Sequence, residues 1–287
     1  MSPDLPRRPR SIARVLERVD DAIAGVPSPD SVATGFPGID RMLGGGFRRR
    51  DLVVLGGDVG AGKSSLALAL ALRVAARGER ALFLSGEMDE ERLVERALCI
   101  EGRVRLTDIR RGDLGDEARA TLGAVALRVR DQPFVPTAIA GLDFDAVHAR
   151  IQTERAALTV VDYLQILPPP AGAGTQDEQS AAAVRQLKAA ALTADTALLL
   201  TSQLPRHNPK RRDPRPTLDD FGAHGTVKFH ADVVLGLYRE EMYQTWRGLE
   251  GATELIVAKN RHGGTGFVDL YFYREWMRFE DMLDPDR

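Results

Sequence analysis

Between Leu52 and Leu72 the chain reads LVVLGGDVGAGKSSLALALAL, and no other stretch narrows its possible folds as far. A short apolar run, Leu52–Leu55, enters a glycine-rich turn, Gly56–Gly62, and then Lys63, Ser64 and a run of strong helix formers. Gly57, Gly62, Lys63 and Ser64 satisfy G-x-x-x-x-G-K-[ST], the spacing of a phosphate-binding loop. A phosphate needs backbone N–H groups aimed at it, and glycines let the backbone come close. The helix that begins near Lys63 adds its dipole and its unpaired N–H groups. Lys63 can reach the β- and γ-phosphates, and the Ser64 hydroxyl can bind Mg²⁺. Asp58, Gly60, Ala61 and Ser65 complete the expected nucleotide cradle. The alternative is a glycine-rich turn without a ligand. All four signature positions are filled and the strand and helix are both in place, which favours a nucleotide.

Length and composition remove other classes. The 287 residues allow one or two domains. With 44% hydrophobic and 28% charged residues there is material for a large core in an ordinary globular chain. The single cysteine, Cys99, excludes an intrachain disulfide and has no partner for a thiolate metal site. It lies between Leu98 and Ile100, so it reads as a small core residue in a reducing cytoplasm. No run approaches the ~20 apolar residues of a membrane span. The net charge of −2 leaves any nucleic-acid contact to a local patch.

The order of the chain predicts an α/β fold with a mostly parallel central sheet flanked by helices. Residues 1–10 read as flexible. Ile12, Val15, Leu16, Val19 and Ile23 then recur at helical spacing, which predicts an amphipathic helix over about 11–25, followed by a proline-bearing linker. Its stripe needs a surface, either on its own domain or on a neighbour. Residues 31–287 are expected to form the main domain. Apolar strands are expected at Leu52–Leu55, Ala81–Leu84, Leu158–Val161, Ala197–Leu200, Val233–Leu237 and Glu254–Ala258. A hairpin through Gly263-Gly264 to Phe267–Tyr273 is expected at the end, with Phe134–Val135 as a proline-flanked edge strand.

Four polar positions each follow an apolar strand: Gly57, Glu87, Asp162 and Gln203. Ligands of open α/β sheets bind at the carboxyl ends of the strands, so these four should converge on one crevice. Asp162 suits Mg²⁺ there, or a strand-end turn. Glu87 suits a base that activates water, or a helix start. Gln203 could contact the γ-phosphate. Lys259 and Arg261, two apart on an expected strand, would share a face and could reach a neighbour's triphosphate from a subunit boundary. Lys210, Arg211, Arg212 and Arg215 make the densest basic loop, either solvated or tracking a DNA backbone.

Taken together these segments resemble the C-terminal motor domain of the DnaB family of replicative hexameric helicases, a RecA-like phosphate-loop NTPase fold. The resemblance rests on Thr34-Gly35-Phe36 with Asp40, the phosphate loop, Ser85-Gly86-Glu87-Met88 and Val161-Asp162-Tyr163-Leu164-Gln165. It continues through Ser202-Gln203-Leu204, Arg215-Pro216, Gly225, Ala231-Asp232, Tyr238-Arg239 and Lys259-Asn260-Arg261, in consistent order over about residues 11–282. It implies an ATP-dependent DNA helicase that forms a homo-hexameric ring and moves along single-stranded DNA 5′ to 3′. ATP and Mg²⁺ would be its cofactors. Lys63, Ser64 and Asp162 would hold triphosphate and metal, Glu87 would be the base and Gln203 the γ-phosphate sensor. Arg261, with Lys259 beside it, would act in trans. The helix near residues 11–25 resembles the family's linker helix, which docks on the adjacent subunit.

Two departures stand out. The family's collar and primase-binding domain has no counterpart, so primase coupling is not expected, although a loader is. The Arg-Glu pair usual before the final glycine of the family's DNA loop is absent from Phe221-Gly222-Ala223-His224-Gly225. DNA would then be held by backbone N–H groups near Gly222 and Gly225 or by the basic loop. The rival expectations are a RecA-like regulatory or recombination ATPase without unwinding activity, and a nucleotide-bound structural adaptor.

Overall fold

A computed structural model describes residues 10–26, 28–169, 174–205, 211–222, 225–243, 248 and 250–282. The chain opens with α1 (Arg10–Ile23), then β1 (Ser31–Val32), α2 (Pro37–Leu43) and β2 (Phe47–Arg48). The glycine-rich segment ahead of the phosphate loop thus contains a short helix, with Pro37 in its first turn and closed by the left-handed Gly44. The next elements are β3 (Leu52–Gly57), α3 (Lys63–Ala76), β4 (Ala81–Ser85), α4 (Glu90–Gly102), α5 (Leu106–Arg111), α6 (Asp116–Asp131) and β5 (Phe134–Ala138). They are followed by α7 (Phe144–Glu154), β6 (Leu158–Asp162), α8 (Gln176–Ala194), β7 (Ala197–Gln203), α9 (Thr226–His230) and β8 (Val233–Arg239). The described chain closes with β9 (Ala252–Asn260), β10 (Gly266–Tyr273) and β11 (Arg278–Asp281).

Among the described residues, nine strands form one sheet in the order β11-β10-β9-β8-β3-β7-β6-β4-β5. From β8 to β5 every neighbour is parallel, and from β8 to β11 every neighbour is antiparallel. The expected hairpin is thus extended by a third strand, β11, which pairs Leu270 with Asp281. β5 lies at the opposite edge, where Pro136 removes a donor least needed by a ladder.

β3 is central and buried on both faces, which explains its unbroken apolar run. Val53 and Leu55 pack with Leu66, Leu70 and Val74 of α3, while Leu52 and Val54 pack with Val184, Leu187 and Ala191 of α8. α3 is buried nearly all round, because α4 and β11 cover what the sheet does not. β9 alternates buried Thr253, Leu255 and Val257 with partly exposed neighbours, as expected of a sheet region covered on one face.

α1 is different. Ile12, Val15, Leu16 and Val19 are exposed, and Ile23 is 81% exposed. An ion pair of 2.6 Å between Arg18 and Asp30 ties the helix to its linker. Its apolar stripe finds no surface within its own described chain.

Candidate nucleotide site

The phosphate loop leaves β3 at the carboxyl end of the sheet's parallel half. Gly57 stands beside Gln203 on one side and Leu237 on the other, and Ser85 stands beside Asp162. Three of the four strand-end positions, Glu87, Asp162 and Gln203, line one crevice of about 580 Å³ together with Gly62, Lys63 and Ser64 of the loop that Gly57 begins. The loop's shape requires glycine: Gly60 and Gly62 have φ of 78° and 101°. At Gly62 a Cβ would also lie 2.9 Å from the Phe279 ring.

Lys63 Nζ lies across the loop and donates to the carbonyls of Gly57 and Asp58 at 3.0 and 2.9 Å. Burial lowers the Lys63 pKa, opposed by the charges of Asp162, Asp58 and Glu87. Asp162, at the end of β6, is buried. Its Oδ1 accepts from Ser64 Oγ at 3.1 Å and Thr201 Oγ1 at 2.5 Å. Its Oδ2 is buried with no hydrogen-bond partner among the described residues. Burial raises the Asp162 pKa, and the two hydroxyls oppose it. A bare carboxylate oxygen beside a serine hydroxyl is a hard-oxygen donor set of the kind that suits Mg²⁺.

Glu87 is exposed at the crevice, past the end of β4. Tyr163 stands close to it, and burial followed by the Glu87 charge raises the Tyr163 pKa. Gln203 is gripped through its main chain: its N–H donates to Gln165 Oε1 at 3.1 Å, and Gln165 Nε2 donates back to its carbonyl at 3.0 Å. Thr201 and Gln165, neither of which had an expected role, thus hold Asp162 and Gln203. Arg239, at the end of β8, is a third such residue. Its Nη1 donates to Gly60 O at 3.0 Å, its guanidinium lies 4.5 Å from the Phe272 ring centre, and it pairs with Glu241. The rule that singled out Gly57, Glu87, Asp162 and Gln203 would have found it, since it too ends a core strand.

Lys259 and Arg261 lie elsewhere. β9 ends at Asn260, so Arg261 is in the turn and not on the strand, which corrects the expectation that both share a strand face. β9 runs antiparallel to β8 and pairs Asn260 with Val233, which stands beside Val53. Lys259 pairs with Val234, beside Val54, so both residues sit toward the opposite end of the sheet from Gly57, about 10 Å or more away along β3. Lys259 Nζ donates to the carbonyls of Lys228 and Ala231. Burial, then the nearby Arg261 charge, lowers its pKa.

In the basic loop, Lys210 falls outside the described residues. Arg211 makes a two-point contact with Asp220 at 2.8 and 2.7 Å. Arg215 does the same with Glu254 at 2.7 and 2.6 Å, with its guanidinium 5.0 Å from the Tyr238 ring centre. These two arginines are committed to carboxylates of their own chain, while Arg212 is exposed. Gly222 and Gly225 flank two residues that are not described.

A mostly parallel sheet with a phosphate loop at its centre and polar strand ends around it defines a nucleotide-binding domain of the RecA-like phosphate-loop class. The match to known proteins is narrower. The model of the DnaB-like helicase C terminal domain matches residues 31–281, and the chain belongs to that family. It is 31% identical over 278 residues to the replicative DNA helicase DnaB of Geobacillus stearothermophilus, covering 93% of this chain and 59% of the relative. It is 30% identical over 270 residues to the replicative DNA helicase DnaC of Bacillus subtilis, covering 91% and 57%. A solved ATPase domain superposes with a TM-score of 0.89 at 26% identity, over 97% of this chain and all of that one. A DnaB-like replicative helicase, solved in a study of its interactions with primase, superposes with a TM-score of 0.86 at 27% identity, over 96% of this chain and 67% of that one. The chain thus spans less than two thirds of the length of the curated relatives it matches.

Proposed function

We propose that this chain is the motor of an ATP-dependent DNA helicase that works as a ring and hydrolyses ATP between subunits. One observation carries the reading. The phosphate loop and Arg261, in the turn after β9, stand at opposite ends of one sheet, so Arg261 is out of reach of its own loop, which supports a role on a neighbour's. The exposed stripe of α1 supports the same arrangement, with residues 10–23 acting as a linker helix on the adjacent subunit and residues 31–287 as the motor.

At each boundary, Lys63 and the loop N–H groups would bind the β- and γ-phosphates of ATP. Ser64 and the bare Oδ2 of Asp162 would hold Mg²⁺, which when bound neutralises charge on the phosphate oxygens. Glu87 would take the proton of the attacking water. Gln203, fixed by Gln165, would contact the γ-phosphate. Arg261 would enter from the next subunit, a contribution worth ~10³–10⁵ in rate in other phosphate-loop enzymes. Single-stranded DNA would pass through the ring 5′ to 3′, held at Arg212, Gly222 and Gly225, with Arg211 and Arg215 shaping the loop. A cytoplasmic location and a loader protein belong to this reading.

A forked DNA with a 5′ single-stranded tail tests it. Strand displacement that requires ATP and Mg²⁺ is expected. Robust ATP turnover with no displacement would favour a regulatory or recombination ATPase instead.

A further inference from the structure

The turn that carries Arg261 is anchored in an unusual amount of buried charge. Asp232, just before β8, is 2% exposed. Its Oδ2 is taken up by the fold: Leu52 N donates to it at 2.9 Å and Lys188 Nζ at 2.5 Å. Its Oδ1 lies 3.3 Å from Arg261 Nη1. The Asp232 carbonyl also accepts from Arg261 N at 2.8 Å, so one residue grips both ends of the arginine. Phe229 O accepts from Arg261 Nη2 at 3.3 Å. The following residue, His262, places Nε2 2.7 Å from Asp51 Oδ2. Asp51 immediately precedes β3, whose other end begins the phosphate loop.

Asp51, Asp232 and His262 each bring a ligand atom within 4.8 Å of the others. A metal ion there would have to compete with Lys188 and Arg261, two cations already on Asp232. Burial and the Asp232 charge raise the Asp51 pKa, while His262 and Lys188 oppose them. The arrangement is that of an anchor. A long, half-exposed arginine is otherwise free to sample many rotamers. Here one oxygen of a buried carboxylate is satisfied by the core and the other is left for the guanidinium.

We propose that Asp232 and the Asp51–His262 pair are positioning residues that aim Arg261 at the neighbouring subunit's nucleotide, by tying its turn to the start of β3. This rests on the reading of Arg261 as a trans-acting group. It goes further in placing the aim of that group in the strand that carries the donor subunit's own phosphate loop.

Mixing subunits tests it. Asp232→Asn offers one oxygen, to Leu52 N and Lys188 or to Arg261, but not to both. DNA-stimulated kcat of the full chain should fall at least ~10-fold, toward the ~100-fold that ~1 Å of misplacement can cost, with KM for ATP little changed. Asp51→Asn, whose carboxylate meets only His262 in hydrogen bonding among the described residues, should lower kcat in the same way by about threefold or more. It carries the test if Asp232→Asn does not melt as a folded protein. Each variant is damaged as a donor and intact as an acceptor. Added Lys63→Ala subunits, intact as donors, should therefore restore turnover, and added Arg261→Ala subunits should not. Wild-type kcat in folded variants, or equal rescue by both partners, overturns the proposal. If Arg261→Ala and Lys63→Ala fail to rescue each other, the shared site itself is overturned, and the positioning role with it.

Discussion

Two buried groups show how single residues carry their environment into chemistry. Asp162 has one oxygen held by Ser64 and Thr201 and one with no partner among the described residues, an arrangement that is costly unless a cation completes it. Glu87 is its opposite, exposed at the mouth and open to water. Replacing Glu87 by Gln should lower ATP turnover by ~10²–10⁴ and leave nucleotide binding near the wild-type level, measured by single-turnover hydrolysis and by fluorescent-nucleotide titration. Unchanged turnover would remove Glu87 from the mechanism. Cys99, the second buried group, gives a pH test. Burial, then the Glu95 charge, pushes its thiol up to about 11. The native protein then keeps a proton that the unfolded chain loses near pH ~8.5. The stabilisation is complete below that pH and declines as pH rises toward about 11. Maleimide labelling at pH ~7.5 should be slow in the native protein and fast after denaturation, because the thiolate is the reactive form.

At the scale of elements, the contrast between α3 and α1 is instructive. Both are 14-residue helices. α3 is wrapped by its own sheet, α4 and β11, whereas α1 leaves its apolar stripe bare. Leu16→Asp should therefore leave the melting temperature of the isolated subunit within a degree or two, since an exposed substitution moves stability by only about 0.5 kcal/mol. The same change should weaken assembly, read by sedimentation. A large loss of subunit stability would place the stripe on its own domain. The basic loop teaches the reverse lesson. Arg211 and Arg215 look available in the sequence, but Asp220 and Glu254 hold them in two-point contacts. Their partners lie 9 and 39 residues away, and no local pattern announces such pairings.

For the whole molecule, the separation of the two ends of the sheet predicts an assembly whose mass depends on ligands. Native mass measurement should find larger particles with ATP and single-stranded DNA than without them, with a hexamer as the expected limit. A monomer under all conditions would leave Arg261 without a target. Much of this architecture is written locally. The glycines and lysine of Gly57–Ser64, the alternation of apolar strands with helices, and the polar residue closing each strand fix the fold class and gather Glu87, Asp162 and Gln203, because periodicity and turn chemistry act over a few residues. Other features arise only when distant segments pair. The reversal of direction at β9 carries Lys259 and Arg261 to the far end of the sheet, β11 extends the expected hairpin, Arg239 comes to rest on the phosphate loop, and Asp232 closes on Arg261. Strand register and buried charge pairing are decided by contacts across the whole sheet, so only the tertiary structure could set Arg261 and the phosphate loop at opposite ends of it.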